Sequence, residues 1–172
     1  MISTRPARPD DGSLVLQMLY TASTYKDEPE SQEELEAVLA QEVALPRYYE
    51  GWGREGDAGI VMEDDGRPVG LAWFRTFSAE APGFGFVAPD VPEFGIALLT
   101  AYRDRGLGHR LMDEMLSLAQ RQGYGRISLS VAPDNARARH LYESLGFVTV
   151  EVDDDGWSTM VLSLGDVRDG TP

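Results

Sequence analysis

Residues 93–122 read EFGIALLTAYRDRGLGHRLMDEMLSLAQRQ, and the order of features in this stretch decides the fold. An apolar run, Ile96-Ala97-Leu98-Leu99, feeds a short turn, Arg103-Asp104-Arg105-Gly106-Leu107-Gly108, that opens directly into a helical pattern. Leu111, Met112, Met115 and Leu118 recur on one face of a helix predicted over Leu107 to Gln122, with Gly123 or Gly125 to end it. Glycines at 106 and 108 let the backbone approach a ligand with no Cβ in the way. Amides at a helix start have no partner inside the helix, and the helix dipole favours an anion there. A strand, a glycine-bearing turn and a helix start therefore make a cradle for phosphate or pyrophosphate. Two competing readings fail on spacing. A P-loop requires a lysine after its second glycine, and none follows. A dinucleotide fingerprint wants a third small residue at 111, where Leu111 stands.

Downstream, Ile127, Leu129 and Val131 alternate with Ser128 and Ser130 as a strand does, and Asn135 to Leu145 reads as a helix closed by Gly146. Phe147–Val152 and Trp157–Leu164, joined by Asp153–Gly156, form a last hairpin. Upstream of a strand at Glu93–Leu99 lies an aromatic, Gly/Pro-rich loop over 76–92. Gly59–Glu63 and Pro68–Arg75 flank Asp64-Asp65-Gly66 as another hairpin. Ser31-x-x-Glu34 reads as a capping box opening a helix with Leu35, Val38, Leu39 and Val43 inward. Asp10 or Ser13 caps a helix carrying Leu14, Leu16, Met18 and Leu19, and Ile2–Arg5 forms an edge strand. The order β-α-α-β-β-β-α-β-α-β-β predicts an α/β fold with one mixed central β-sheet of about seven strands flanked by four helices. There is no repeat and no interdomain linker, and a flexible tail is predicted over 166–172.

Arg103-x-x-Gly106-x-Gly108 resembles the Arg/Gln-x-x-Gly-x-Gly/Ala signature of the GNAT N-acetyltransferase superfamily. Asn135-x-x-Ala138-x-x-Leu141-Tyr142-x-x-x-Gly146-Phe147 is similar to a second block of the same family, in the same order along the chain. The resemblance is strong over 93–147 and weaker over 2–20, 58–76 and the final hairpin. It implies a single GNAT domain over 1–165 that transfers an acetyl group directly from acetyl-CoA, without a metal, to a small-molecule or peptide amine. Main-chain groups of Arg103, Asp104, Arg105, Gly106, Leu107 and Gly108 would hold the pyrophosphate, with His109 at the margin of that site. Main-chain groups of Ile96, Ala97 and Leu98 would hold the pantetheine arm and acetyl group like an added strand. Asn135 would bond the same arm. Leu99-Thr100-Ala101 stands where relatives often carry proline, a departure that leaves the cradle intact.

Tyr142 and Glu93 are the catalytic candidates. Tyr142 falls seven residues after Asn135, two helical turns, so a continuous helix would point both the same way. A tyrosine hydroxyl of pKa about 10 can donate to a departing thiolate of about 8.5, the role the resemblance implies. Glu93 opens the strand carrying Ile96 and would accept the amine proton through water; a structural edge carboxylate is the competing reading. His140 is expected on an exposed helix face, and no His-x-x-x-His pair suggests a metal. Tyr48, Tyr49, Trp52, Phe77, Phe84 and Phe86 are candidates for lining an acceptor cleft, or for the core. A non-catalytic acyl-CoA sensor is the alternative from a different class, and Tyr142 with Glu93 favours the enzyme.

Composition agrees. A chain of 172 residues suits one domain, and the absence of cysteine excludes disulfides, thiol nucleophiles and cysteine zinc sites. The net charge of −14 argues against nucleic acid, and no segment reads as a signal peptide or membrane span, so a cytoplasmic enzyme is expected. Partners are acetyl-CoA and the acceptor, with a homodimer left open. The charge is uneven. Residues 1–92 carry seven basic and seventeen acidic side chains, whereas 103–139 carry seven against four, a positive island at the cradle. Asp27, Glu28, Glu30, Glu33, Glu34, Glu36 and Glu42 form an acidic tract, either a solvated face or part of the acceptor's approach.

Overall fold

The computed structural model describes residues 1–41 and 43–165. Its elements follow the predicted order: β1 (Ile2–Pro6), α1 (Gly12–Thr24), α2 (Gln32–Leu39), β2 (Ala58–Asp64), β3 (Arg67–Arg75), β4 (Glu93–Leu98), α3 (Leu107–Arg121), β5 (Arg126–Val131), α4 (Ala136–Ser144), β6 (Val148–Val152) and β7 (Ser158–Ser163). The strands build one seven-stranded mixed sheet in the order β1-β2-β3-β4-β5-β7-β6. β2 runs antiparallel to β1 and β3, and β7 antiparallel to β5 and β6. β4 pairs with β5 in parallel at Glu93 and Ser128, a pairing that needs a crossover, and α3 supplies it. The expected tail at 166–172 and Glu42 of the acidic tract lie outside the described residues.

Local chemistry accounts for most boundaries. Asp65 (φ 48°) and Gly66 (φ 79°) are both left-handed, as a two-residue hairpin turn requires. Three details differ from expectation. α1 starts at Gly12 with Asp11, not Asp10 or Ser13, at its cap position, and Asp11 makes no cap bond. Its carboxylate accepts instead from the Arg5 guanidinium (2.8 and 2.9 Å) and the Arg8 N–H (2.7 Å), and the Arg5 bond holds it below the usual carboxylate range. At α2, Ser31 Oγ accepts from the Glu34 N–H (3.1 Å) as predicted. The Glu34 carboxylate, however, turns to the Glu30 N–H (2.6 Å) and Lys26 (2.7 Å), so the box is half formed. That helix stops at Leu39, and Val43, expected inward, is 86 % exposed. Along β5, Ser128 is fully buried although it alternates with the apolar residues. β5 is an interior strand between β4 and β7, and Ser128 sits at its parallel pairing with Glu93 of β4.

The chain divides into two compact units. The first, Met1–Arg75 with Gly95–Met115, packs α1 on β3 and buries Val15, Met18, Val61, Leu71 and Phe74 with Leu111, Met112 and Met115 of α3. At the end of β3, Arg75 forms a two-pronged bond with Asp57 (2.8 and 2.7 Å), both side chains 1 % exposed. The same guanidinium donates to the carbonyls of Arg47 (2.7 Å) and Glu50 (2.8 Å), which pins the irregular stretch between α2 and β2. The second unit, Thr76–Phe94 with Leu116 onward, buries Ala119, Ile127, Leu129, Phe147 and Met160. No helix among the described residues is long and apolar enough to cross a membrane.

Removing one member of a buried ion pair strands the other charge out of water. Asp57→Ala is therefore expected to cost about 3–5 kcal/mol, read as a fall in the urea midpoint. A shift below about 1 kcal/mol would show that Arg75 is satisfied by the two carbonyls alone.

Candidate active site

In the first unit, the end of β4 leads through a 3-10 turn, Thr100–Tyr102, into the glycine turn and α3. Asp104 (φ 60°) and Gly106 (φ 74°) are left-handed. Left-handed residues within a turn swing successive amides toward one side and make a concave anion site. The Arg110 N–H donates to the Gly106 carbonyl (3.3 Å). The amides of Leu107, Gly108 and His109 thus precede the first such bond of the helix, at the positive end of its dipole. A Cβ at Gly106 would meet nothing within 4 Å, and one at Gly108 only Leu98 Cδ1 at 3.8 Å. Gly106 is thus needed for its conformation, and the surface above both residues is open. These features fit a diphosphate.

The arginine side chains do something else. Arg103 Nε donates to the Leu98 carbonyl (2.9 Å) and Nη1 to that of Tyr25 (3.3 Å), so its guanidinium folds back on the protein. Arg105 lies 5.4 Å from the centre of the Tyr102 ring. Arg110 pairs with Glu114 (3.1 Å), and His109 is exposed. An anion on this turn would be met by main-chain amides rather than by these side chains. On β4, Ala97 is buried while Ile96 and Leu98 are half-buried, and the Leu99 N–H donates to the Val69 carbonyl (2.9 Å).

In the second unit, Glu93 is 4 % exposed and its Oε1 accepts from the Gly85 N–H (3.0 Å). A Cβ on Gly85 would stand 2.6 Å from the Leu129 carbonyl carbon and 2.8 Å from the Ser130 nitrogen. The 76–92 loop therefore lies directly on the β5 backbone, and Glu93 holds it there. This task went unread in the sequence, since neither residue signals the other. Asn135 caps α4 rather than joining it: its φ and ψ are −89° and 63°, and Oδ1 accepts from the Ala138 N–H (3.1 Å). The helical register assumed between Asn135 and Tyr142 does not hold, because the cap residue is outside the helix. Tyr142 is 8 % exposed, its ring edge-on to Phe94 at 5.8 Å and tilted against Phe147 at 5.8 Å.

Of the aromatic candidates, Tyr48 and Phe77 are core residues, and the Trp52 indole donates to the Arg8 carbonyl (2.9 Å). Phe84 is exposed, and Tyr49 and Phe86 are half-buried. His140 is exposed, as expected. Asp153 Oδ1 accepts from the Asp155 and Trp157 amides, which explains the acidic turn between β6 and β7 structurally.

A profile of the Acetyltransferase (GNAT) family matches residues 17–147. The chain belongs to this family. Its fold agrees: it superposes on the ribosomal-protein-S18-alanine N-acetyltransferase of Escherichia coli with a TM-score of 0.64 at 19 % identity, covering 100 % of this chain and 99 % of that one. A putative acetyltransferase from Salmonella typhimurium, solved with its cofactor acetyl-CoA, gives 0.64 at 21 % identity, covering 96 % and 95 %. In sequence, a mycothiol acetyltransferase of Corynebacterium diphtheriae is 34 % identical over 101 residues, 58 % of this chain and 32 % of that protein. The chain spans a third or less of the length of the mycothiol acetyltransferases it matches.

Gly106→Glu sets bulk and negative charge over the amides in a residue that needs a left-handed conformation, and is expected to abolish acetyl-CoA binding by calorimetry. Gly108→Ala, which meets only one methyl at van der Waals distance, should leave the fold intact. Undiminished affinity in folded Gly106→Glu would rule out this turn as the anion site.

Proposed function

We propose that this protein is an acetyl-CoA-dependent N-acetyltransferase that passes the acetyl group directly to an amine. The observation that carries the reading is the left-handed turn Asp104–Gly106 opening α3, in a chain whose residues 17–147 match the GNAT profile. Amides of 103–108, with His109 beside them, bind the pyrophosphate, and main-chain groups of Ile96, Ala97 and Leu98 align the pantetheine arm. One amide of that strand stabilises the oxyanion as the amine attacks the thioester carbonyl. Asn135, its Oδ1 engaged at the cap, has its amide NH₂ group to offer the arm. Glu93, or a water beside it, accepts the proton from the attacking amine, and Tyr142 gives one to the leaving thiolate.

Packing supports the assignment of Tyr142. The Tyr142 ring is fixed by two aromatic neighbours, so the hydroxyl has a defined position, which proton transfer needs. Tyr142→Phe keeps that packing and is expected to lower kcat by roughly 10²–10⁴-fold while leaving acetyl-CoA affinity and stability unchanged. A wild-type rate at saturation would assign Tyr142 to packing. Glu93→Gln keeps an oxygen for the Gly85 amide and removes only basicity. It should flatten the acidic limb of the rate–pH profile, whereas loss of activity in Glu93→Ala alone would mark the residue as a loop anchor.

The acceptor is a small-molecule or peptide amine, and acceptors of both sizes occur in the names of relatives, one for mycothiol and one for an alanine of a ribosomal protein. Exposed Glu28, Glu33 and Glu36 and the acidic excess of residues 1–92 favour a cationic acceptor. The test is acceptor-dependent thiol release from acetyl-CoA across an amine panel. Cationic amines should outperform matched neutral ones in kcat/KM, and the advantage should shrink as salt shortens the screening length to about 8 Å and below. No thiol release with any amine would overturn the reading.

A further inference from the structure

The stretch from β4 into the glycine turn is held by carboxylates that arrive from elsewhere in the first unit. Asp27 Oδ1 accepts from both the Thr100 N–H (2.7 Å) and the Thr100 hydroxyl (2.9 Å). Thr100 opens a 3-10 turn whose cap position is occupied by Leu99, which has no polar group to offer. Asp27 thus supplies, from 73 residues away, the acceptor that a local Asp or Ser would provide. Arg103 closes the same link, with its Nη1 on the Tyr25 carbonyl and its Nη2 3.9 Å from the Asp27 carboxylate. At the far end of the turn, the Tyr102 hydroxyl donates to Asp64 Oδ2 (3.0 Å), and Arg105 lies over the Tyr102 ring.

The two anchors differ in what stands behind them. Asp64 ends β2, paired with β1 on one side and β3 on the other. Asp27 sits in the irregular connection between α1 and α2, just after the left-handed Tyr25 (φ 62°) that ends α1. A segment of that kind is ordered by the contacts it makes, so its order and that of the turn it touches are joined.

We propose that Asp27 is a positioning residue for the coenzyme turn, and that coenzyme occupancy and the order of residues 25–31 are one equilibrium. The proposal rests on the acetyl-CoA reading of residues 103–108. An anion on those amides restricts the turn, the restricted turn presents Thr100 to Asp27 in one orientation, and the connection is fixed with it. Linkage is reciprocal: loosening the connection weakens coenzyme binding by the factor with which coenzyme tightens the connection. Coulomb's law alone predicts the opposite sign, because deleting a carboxylate near a diphosphate site should strengthen binding.

The experiment is calorimetry with acetyl-CoA on wild type, Asp27→Ala, Asp27→Asn and Thr100→Val, with hydrogen exchange of the 25–31 segment in each. Asp27→Ala is expected to bind about 5- to 50-fold more weakly. Asp27→Asn, neutral but still an acceptor for Thr100, should stay close to wild type, and Thr100→Val should weaken binding less than Asp27→Ala does. Acetyl-CoA should slow exchange over 25–31 in wild type and Asp27→Asn, and not in Asp27→Ala. Binding by Asp27→Ala as tight as wild type or tighter overturns the proposal, as does coenzyme-independent exchange over 25–31 in the wild type, which requires no variant to fold. A wild type that gives no binding heat would overturn the coenzyme reading of the turn instead.

Discussion

An α-helix begins with amides it cannot satisfy itself, and the first turn of α3 is where that constraint becomes useful. Three amides precede the bond from Arg110 to Gly106, and two left-handed residues ahead of them bend the chain so that further amides converge. Such a turn holds its shape only if the chain entering it is fixed. That is why Leu98, Thr100, Tyr102 and Arg103 are all tied down, to Arg103, Asp27, Asp64 and Tyr25 in turn. Those bonds engage polar groups along the entry to the turn, while the amides of Leu107, Gly108 and His109 precede the first helix bond.

The positive island of residues 103–139 takes on a different meaning once its arginines are followed. Arg103 is committed to two carbonyls, Arg105 to an aromatic face, Arg110 to Glu114 and Arg139 to the Ser158 hydroxyl (2.9 Å). Their charge still contributes a long-range field, which steers an anion in an otherwise acidic protein. In the proposed coenzyme site, recognition at close range would belong to the backbone, whose dipoles are fixed by the fold and do not need to be ordered when a ligand arrives. Long arginine side chains would have to be immobilised at that moment, at a cost in rotamer entropy.

The legible parts of the sequence were those governed by neighbours a few residues apart. The Asp65-Gly66 hairpin, the Ser31 cap, the apolar face of α3 and the glycine turn each follow from local steric and hydrogen-bond rules, and together they give the element order and the seven-stranded sheet. Where an acidic side chain had several donors within reach, the outcome was not legible. Asp11 chose Arg5 over a helix cap, Glu34 chose Lys26 and the Glu30 amide over Ser31, and Asp27, read as one charge of an acidic tract, became a cap for Thr100. A charged partner or a rigid amide outbids a local one, and which of them is near depends on tertiary structure. The same limit hid the buried Arg75–Asp57 pair and the burial of Ser128, since both depend on what covers them.

Glu93 has a structural duty in the fold, and the base role proposed for it would share the same carboxylate. One oxygen holds Gly85, and Gly85 can lie against β5 only because it has no side chain. The loop that this bond positions carries the exposed Phe84 and the half-buried Phe86. A substitution that removes the carboxylate outright therefore disturbs the loop and the proton path together, and a loss of rate cannot be divided between them. The amide isostere separates the two, because an amide oxygen accepts from Gly85 as a carboxylate does but takes no proton from an ammonium near neutral pH. For Tyr142 the division is cleaner. Its ring is held by Phe94 and Phe147, and its hydroxyl is the one atom that phenylalanine lacks, so packing and the proposed acid function would sit on different parts of the same side chain.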